Sequence, residues 1–460
     1  MKEKNRTQPA LKKYFGLLKN NKVFYLSLFI VILLCSLISY ENITFGLYFN
    51  SIYQEYGNFF KSLDSGVFSN PKTTFPMWGY GFIHLLGQNI LLVLIIQQLI
   101  TFFTLIYLDV FINKFSLINR ISLFRFCILL STPWFFYHTQ MWPKSISSNL
   151  FLIGVILTLE YYHTLKSNRL LLSSIAFGFL HNFRSDYFYL SIVLVVITFF
   201  ISKKKSFKTF LFPLIQYTML IPWMIFTFHQ TGKILPTSSN TGHVFFIGLG
   251  QLPNNVWDVT PVDEDPTKNY ILSKQFGSHF NSCNYEEGEF LKSKFIEYIS
   301  NEPFEWIKKC FYSFRLLILD PFYVGNVGNF QQNKISNIEQ IRALENYIYQ
   351  FELKKSVLLI KNTQWAFSAK EAFQILVTVF TKILGVFLFL TFLILFVFAF
   401  YKFGLKIFNN PIDFILLIVI LYQIAISIFA FHMPVYNNSI FIFYLLMTAR
   451  LFQKYLSIRQ

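Results

Sequence analysis

Charge is scarce in this sequence, and negative charge is scarcest: 14% of its 460 residues are charged, with 23 Asp and Glu against 40 Lys and Arg. Set beside a hydrophobic share of 54% and an aromatic share of 20%, that scarcity excludes an ordinary soluble domain of this length. The natural solvent is a bilayer. The net charge of +17 does not point to nucleic acid, because the basic residues lie in short clusters between apolar runs, where retention on the cytoplasmic side accounts for them. Walker-type and Rossmann-type glycine motifs are absent, so nothing marks a nucleotide site. No internal repeat and no low-complexity linker occurs. No small-residue cleavage pattern follows the first apolar stretch around Ser36 to Asn42, so that stretch is expected to remain as an uncleaved signal-anchor. Cysteines number four. Cys35 and Cys127 fall in apolar runs and read as buried thiols, whereas Cys283 and Cys310 fall in a polar segment, and whether they pair stays open.

What is present is a series of apolar runs, each near the roughly 20 residues that a spanning helix needs. They cover 23–40, 90–112, 121–137, 147–165, 209–228, 377–401, 411–432 and 439–453. The stretch 170–202 is ambiguous because the polar Phe183-Arg184-Ser185-Asp186 interrupts it. Charge decides the reading. With the N-terminus inside, a hairpin at 170–202 places Lys114, Arg120 and Arg125, then Lys166 and Arg169, then Lys203 to Lys205 with Lys208, then Lys402 and Lys406, and finally Lys454 and Arg459 in the cytoplasm. A single helix there would expose the Lys203-Lys204-Lys205 run on the opposite side. The expected fold is therefore an all-α polytopic membrane protein of about ten spans with both termini cytoplasmic.

Two polar segments then face away from the cytoplasm, an outer loop at 41–75 and a larger segment at 229–370. They divide the chain into an N-terminal transmembrane module, 1–228, an extracytoplasmic segment, 229–370, and C-terminal transmembrane helices, 371–460. In the first loop, Ile43, Leu47, Tyr48, Ser51 and Ile52 fall on one helical stripe, which reads as an amphipathic helix at the outer interface. In the larger segment, Glu286 to Ser300 and Pro303 to Leu319 have helical periodicity, with Pro303 placed at a helix start, and 337–360 is a further candidate helix. The first arm of the hairpin is short, which recesses its tip below the outer surface. Arg184 and Asp186 there read either as an interfacial pair or as substrate-binding groups in a wet cavity.

Several landmarks recur in a familiar order. Tyr40-Glu41-Asn42 precedes the amphipathic stretch with Tyr48, and Phe75-Pro76-Met77-Trp78-Gly79-Tyr80 enters the second span. Leu180 to Asp186 forms the short hairpin with an outward Arg. Ile221-Pro222-Trp223 is followed by Gly232-Lys233-Ile234-Leu235-Pro236-Thr237-Ser238, then by Gly242 and Gly248, and Asn301-Glu302-Pro303 joins the helix pair of 286–319. In this order they resemble the GT-C superfamily of integral-membrane glycosyltransferases, and more closely glycosyltransferase family 39, with its protein mannosyltransferases and lipid A aminoarabinose transferases. The resemblance covers most of residues 1–330. Departures are visible: Asn42 stands where relatives often carry a second acid, Trp142-Pro143-Lys144-Ser145 stands where they often open the fourth span with one, and Pro434-Val435-Tyr436-Asn437-Asn438 lacks their outer Arg.

The resemblance implies inverting transfer of a sugar from a polyprenyl-phosphate donor to a cell-envelope glycan, lipid or protein acceptor on the extracytoplasmic side of a bacterial plasma membrane. Such a reaction needs a base for the acceptor proton and cations for the departing phosphate. Glu41, at the family's acidic position, is the candidate base, the alternative being a solvated helix-end Glu. Arg184 is the candidate for the carrier phosphate, with Lys72 and Lys144 as further cations on the same face. His243 either contacts the substrate or is a solvated loop residue. A divalent cation is the one candidate cofactor, since Asp258, Asp263, Glu264 and Asp265 supply oxygen ligands, but their spacing reads first as a solvated acidic turn. Trp78, Trp134, Trp142, Trp223 and Tyr80 read as interface anchors. The rival functions are a lipid or glycan transporter (flippase) and a catalytically inactive family member. Gln97, Gln98, Gln216 and Gln423 are the chief mid-span polar groups, too few and uncharged for an ion-coupled transporter.

Overall fold

A computed structural model describes residues 21–45, 90–139, 143–184, 187–201, 214–278, 280, 284–323, 340, 343–344, 347, 352–363, 365, 369–404 and 410–459. Among these the regular structure is all helical, with no strand. The helices of the membrane body are α1 (Lys22–Phe45), α2 (Ile90–Phe115), α3 (Ile121–Leu129), α4 (Thr132–His138), α5 (Pro143–Thr164), α6 (Ser167–Phe183), α7 (Phe188–Ile201) and α8 (Ile221–Thr231). A cap of α9 (Thr241–Gly248), α10 (Pro266–Phe276), α11 (Tyr285–Asn301) and α12 (Pro303–Leu319) follows, then α13 (Leu353–Asn362), and α14 (Ala369–Phe403), α15 (Pro411–Phe429), α16 (Pro434–Asn438) and α17 (Phe441–Arg459) complete the chain.

Among the described residues, five helices are long and apolar enough to cross a membrane, at Lys22–Ser39, Leu91–Phe115, Lys144–Thr164, Ile375–Phe403 and Pro411–Phe429. The chain is a multi-pass membrane protein. Burial separates its centre from its rim: the apolar window of α5 is 83% buried, that of α14 only 22%. Helix α5 is the hub because small and hydroxylic residues let α6 approach it. Gly154 faces the Phe177 ring, Ser173 Oγ donates to the Gly154 carbonyl at 2.8 Å, and Thr158 and Ser173 pair at 2.8 Å. On the rim, α14 exposes Phe387, Ile394 and Val397, as a lipid-facing helix must.

Two expected spans are interrupted. The run 121–137 breaks at Leu130 and Ser131 into α3 and α4, because Pro133 lacks an N–H and suits a fresh first turn. Pro222 acts likewise at the start of α8. The stretch expected as a hairpin carries two helices, α6 (Ser167–Phe183) and α7 (Phe188–Ile201). The 17 residues of α6 reach about 25 Å, less than the ~30 Å hydrocarbon thickness.

In the larger polar segment, the periodicity placed at 286–300 and 303–319 appears as α11 and α12, with Pro303 in the first turn of α12. Only Leu353–Asn362 of the candidate at 337–360 is a described helix of any length. The amphipathic stretch beyond Phe45, the Lys203–Lys208 run and Cys283 lie outside the described residues, and Ile43 continues α1.

The cap is bolted to the membrane body at the end of α15. Lys309, 1% exposed, donates to the carbonyls of Ile428, Phe429 and Ala430 at 3.0, 3.4 and 2.6 Å, satisfying a helix C-terminus that has no further turn to bond. Burial pushes its ammonium down to about 8. Gln251 exchanges two hydrogen bonds with the His432 backbone, both 2.8 Å. Gly248 permits this docking, since a Cβ there would stand 2.2 Å from the Ala430 carbonyl oxygen. Gly242 serves the same purpose inside the cap, where a Cβ would meet the Gly288 carbonyl at 1.8 Å. The glycines of 242–250 thus carry close backbone packing.

Candidate functional site: two polar ends of one bundle

At one end, three buried carboxylates gather the basic loops. Asp109 accepts from Arg125 Nε at 2.8 Å, Arg125 Nη2 at 3.0 Å and Tyr25 Oη at 2.8 Å. Glu160 meets Lys114 at 3.1 Å and Arg169 at 3.0 Å. Asp413 meets Lys454 at 2.7 Å and also accepts from Arg450, whose other arm reaches the Leu117 carbonyl at 3.0 Å. All three acids are at most 1% exposed. These contacts put the N-termini of α1, α3, α6 and α15 beside the C-termini of α2, α5 and α17, so the structure has a defined basic end. Charge retention was the whole sequence-based account of Lys114, Arg125, Arg169 and Lys454, and the structure adds a second role, neutralising buried acids. The available signal was an acid near the end of an apolar run beside a basic loop, towards the last turn for Asp109 and Glu160 and in the first turn for Asp413.

The far end is built differently. Lys144 starts α5, Arg184 caps α6, and both lie against one ring: Lys144 Nζ is 4.6 Å and Arg184 Cζ 5.5 Å from the centroid of Tyr436 in α16. Arg184 is buried, with 7% of its surface exposed. The ring is held from below. Asn438 donates to the carbonyls of Pro133 at 3.1 Å and Tyr323 at 2.6 Å and accepts from the Tyr323 N–H at 2.6 Å, while Ser439 pairs with Tyr187. Tyr187 in turn stacks on Phe151 of α5 at 4.1 Å. Tyr436 was not singled out from sequence, although Pro434-Val435-Tyr436-Asn437-Asn438 is a polar run between two apolar helices.

One turn deeper lies a buried polar cluster. His138 Nδ1 is 3.1 Å from Ser145 Oγ and 3.2 Å from Asn149 Nδ2, and its carbonyl accepts from Gln98 at 2.9 Å. Asn149 also donates to Thr101 at 3.0 Å. Gln97 and Gln98 therefore tie α2 to α4, and the Oδ1 of Asn149 and Oε1 of Gln98 keep no hydrogen-bond partner among the described residues. Trp134 and Trp223, expected at the interface, are 0% and 1% exposed inside the protein. Their rings fill core volume beside α4 and α8 instead of anchoring at a lipid surface.

The other sequence candidates separate. His243 is buried in the cap, its Nε2 3.0 Å from Asp263 Oδ1, and no described contact joins it to Lys144, Arg184 or Tyr436. The acidic turn is partly structural, not simply solvated: Asp265 is 0% exposed, caps α10 through the Lys268 N–H at 2.6 Å and accepts from Thr260 N–H and Oγ1 at 2.6 and 2.7 Å. Among the described residues no group of three His, Cys, Asp or Glu could hold a metal ion. Glu41 falls in the last turns of α1, at the far end, with its side chain outside the described residues, and Lys72 and Asp186 lie outside them altogether.

Fold and site define a multi-pass, all-helical membrane protein with a capped far end. No protein-family model matches the chain, and no curated protein or solved structure matches it either.

Proposed function

We propose that the chain is a membrane glycosyltransferase that takes a sugar from a polyprenyl-phosphate donor and passes it, with inversion, to a cell-envelope glycan, lipid or protein acceptor. The observation that carries the reading is the convergence of Lys144 and Arg184 over Tyr436. Two cations from separate helices, held beside an aromatic face at the mouth of a membrane bundle, suit a phosphate whose lipid tail lies in the bilayer. The basic end sits in the cytoplasm and the cap outside, so the site has no route to cytosolic nucleotide sugars and draws on a lipid-linked donor. The order of sequence landmarks resembling glycosyltransferase family 39 supports the same reaction.

In this reading an acceptor hydroxyl or amine attacks the anomeric carbon and gives its proton to Glu41. The bond from that carbon to the phosphate oxygen breaks. Lys144 and Arg184 take up the negative charge that develops on the departing polyprenyl phosphate, and the Tyr436 ring keeps the two cations aimed at it. Purified protein supplied with polyprenyl-phosphate sugars and cell-envelope acceptors tests the proposal. Transfer that Glu41→Gln abolishes without loss of expression supports it. Translocation without transfer makes the chain a flippase, and neither activity makes it an inactive relative.

A further inference from the structure

The basic end holds a cavity that the transfer reaction does not use. Its volume is ≈ 410 Å³, and it lies between α3, α14 and α17. Leu123, Cys127, Leu395, Leu445 and Phe452 give it apolar walls. Along α17 it runs from Leu445 to Leu456, about 16 Å at the rise of an α-helix, which is half the ~30 Å hydrocarbon thickness. Leu123 and Phe452 on its walls are 48% and 37% exposed, so it opens sideways towards lipid. An apolar slot of that depth, entered from the side, has the dimensions of one leaflet.

Its mouth is cationic. Arg120, at the start of α3, is exposed and forms no ion pair among the described residues. That distinguishes it from its neighbours, because Lys114, Arg125, Arg450 and Lys454 are all matched to Glu160, Asp109 or Asp413. Asn119 and Gln453 stand beside it, and the Asn119 N–H is tied to Gln453 Oε1 at 3.2 Å, which leaves both side-chain amide NH₂ groups to donate.

We infer that this groove holds one acyl chain of an anionic phospholipid from the leaflet at the basic end, with the lipid phosphate on Arg120. The apolar walls select a chain. The single uncompensated guanidinium, flanked by two amides, selects a phosphodiester that carries a net negative charge over a zwitterionic one.

The test uses the full chain, delipidated in detergent and then offered phosphatidylglycerol or phosphatidylcholine, with retained lipid counted by native mass spectrometry. Wild type should keep one phosphatidylglycerol with at least a roughly tenfold preference, the discrimination expected of one charge-assisted contact. Arg120→Gln should bring the two lipids level without changing the melting temperature of the lipid-free protein. Ala449→Phe, which fills the groove, should abolish retention of both. Equal retention of the two lipids by wild type, or an Arg120→Gln variant that keeps the preference, overturns the assignment. Should Ala449→Phe not fold, Arg120→Gln decides alone, since Arg120 is exposed. Lipid retention is read without any transfer reaction, so this outcome is independent of the proposed catalytic activity.

Discussion

Basic side chains do opposite work at the two ends of this bundle. At the basic end, Arg125, Lys114, Arg169, Arg450 and Lys454 converge on three carboxylates that are otherwise out of water. At the far end, Lys144 and Arg184 converge on the face of Tyr436. A buried carboxylate with matched cations is a finished structure, and removing either partner leaves an uncompensated charge. A cation on an aromatic face is oriented by the ring's quadrupole without being neutralised by it. The difference teaches that a count of basic residues says little, and that the partner of each, a buried carboxylate or an aromatic face, separates the two ends.

The largest effect should come from breaking the basic end. Arg125→Met strands Asp109 and should cost about 3–5 kcal/mol, read as a fall in the melting temperature of the purified protein. Next comes the far end, where Arg184→Ala or Lys144→Ala should cut the proposed sugar transfer by ~100-fold or more while the melting temperature barely moves. A large stability loss from either would put these residues in the same class as Arg125. Gly248→Ala should be felt third. Its methyl would press on the Ala430 carbonyl, and undocking the cap should cost about 1–3 kcal/mol and open 241–319 to limited proteolysis.

The smallest expected effect is one of pH. The hydrogen bond from His243 holds the Asp263 carboxyl below the usual carboxylate range, against the opposing influence of burial. A depressed carboxylate pKa strengthens the fold above the unfolded value and loses that contribution as pH falls through the folded one. Protection of the 258–265 turn against hydrogen exchange should therefore drop below about pH 4, and Asp263→Asn should flatten that dependence. With the Asp263 side chain 82% exposed, solvent screening keeps the change small.

How much of this was legible in the sequence depends on the physics behind each feature. Apolar runs, helix α12 from its Pro303 start and the end of α6 at Phe183 follow from local chemistry and were readable. The Asp265-Pro266 pair was readable too, as an N-cap followed by proline at the first helical position, yet the surrounding acids made the turn look merely solvated. Pro133 and Pro222 carried the same kind of signal inside runs long enough to pass for single spans. What local pattern does not contain is pairing at long range. Arg450 finds Asp413 across 37 residues, and Tyr436 receives Lys144 of α5 and Arg184 at the end of α6, both more than 250 residues earlier. Tryptophan was misread for the same reason, since the pattern that places Trp134 and Trp223 near span ends does not say whether protein or lipid surrounds them.

The most direct test of the contrast is the affinity of the purified protein for a polyprenyl phosphate, measured alongside its melting temperature for Arg184→Gln, Lys144→Gln and Arg125→Gln. The far-end variants should bind at least about tenfold more weakly, as loss of a charge-assisted contact implies, with an unchanged melting temperature, and the basic-end variant should melt earlier yet bind normally below its transition. Full affinity in Arg184→Gln and Lys144→Gln, together with an earlier melt, would contradict the account by making the far-end cations structural like those at the basic end.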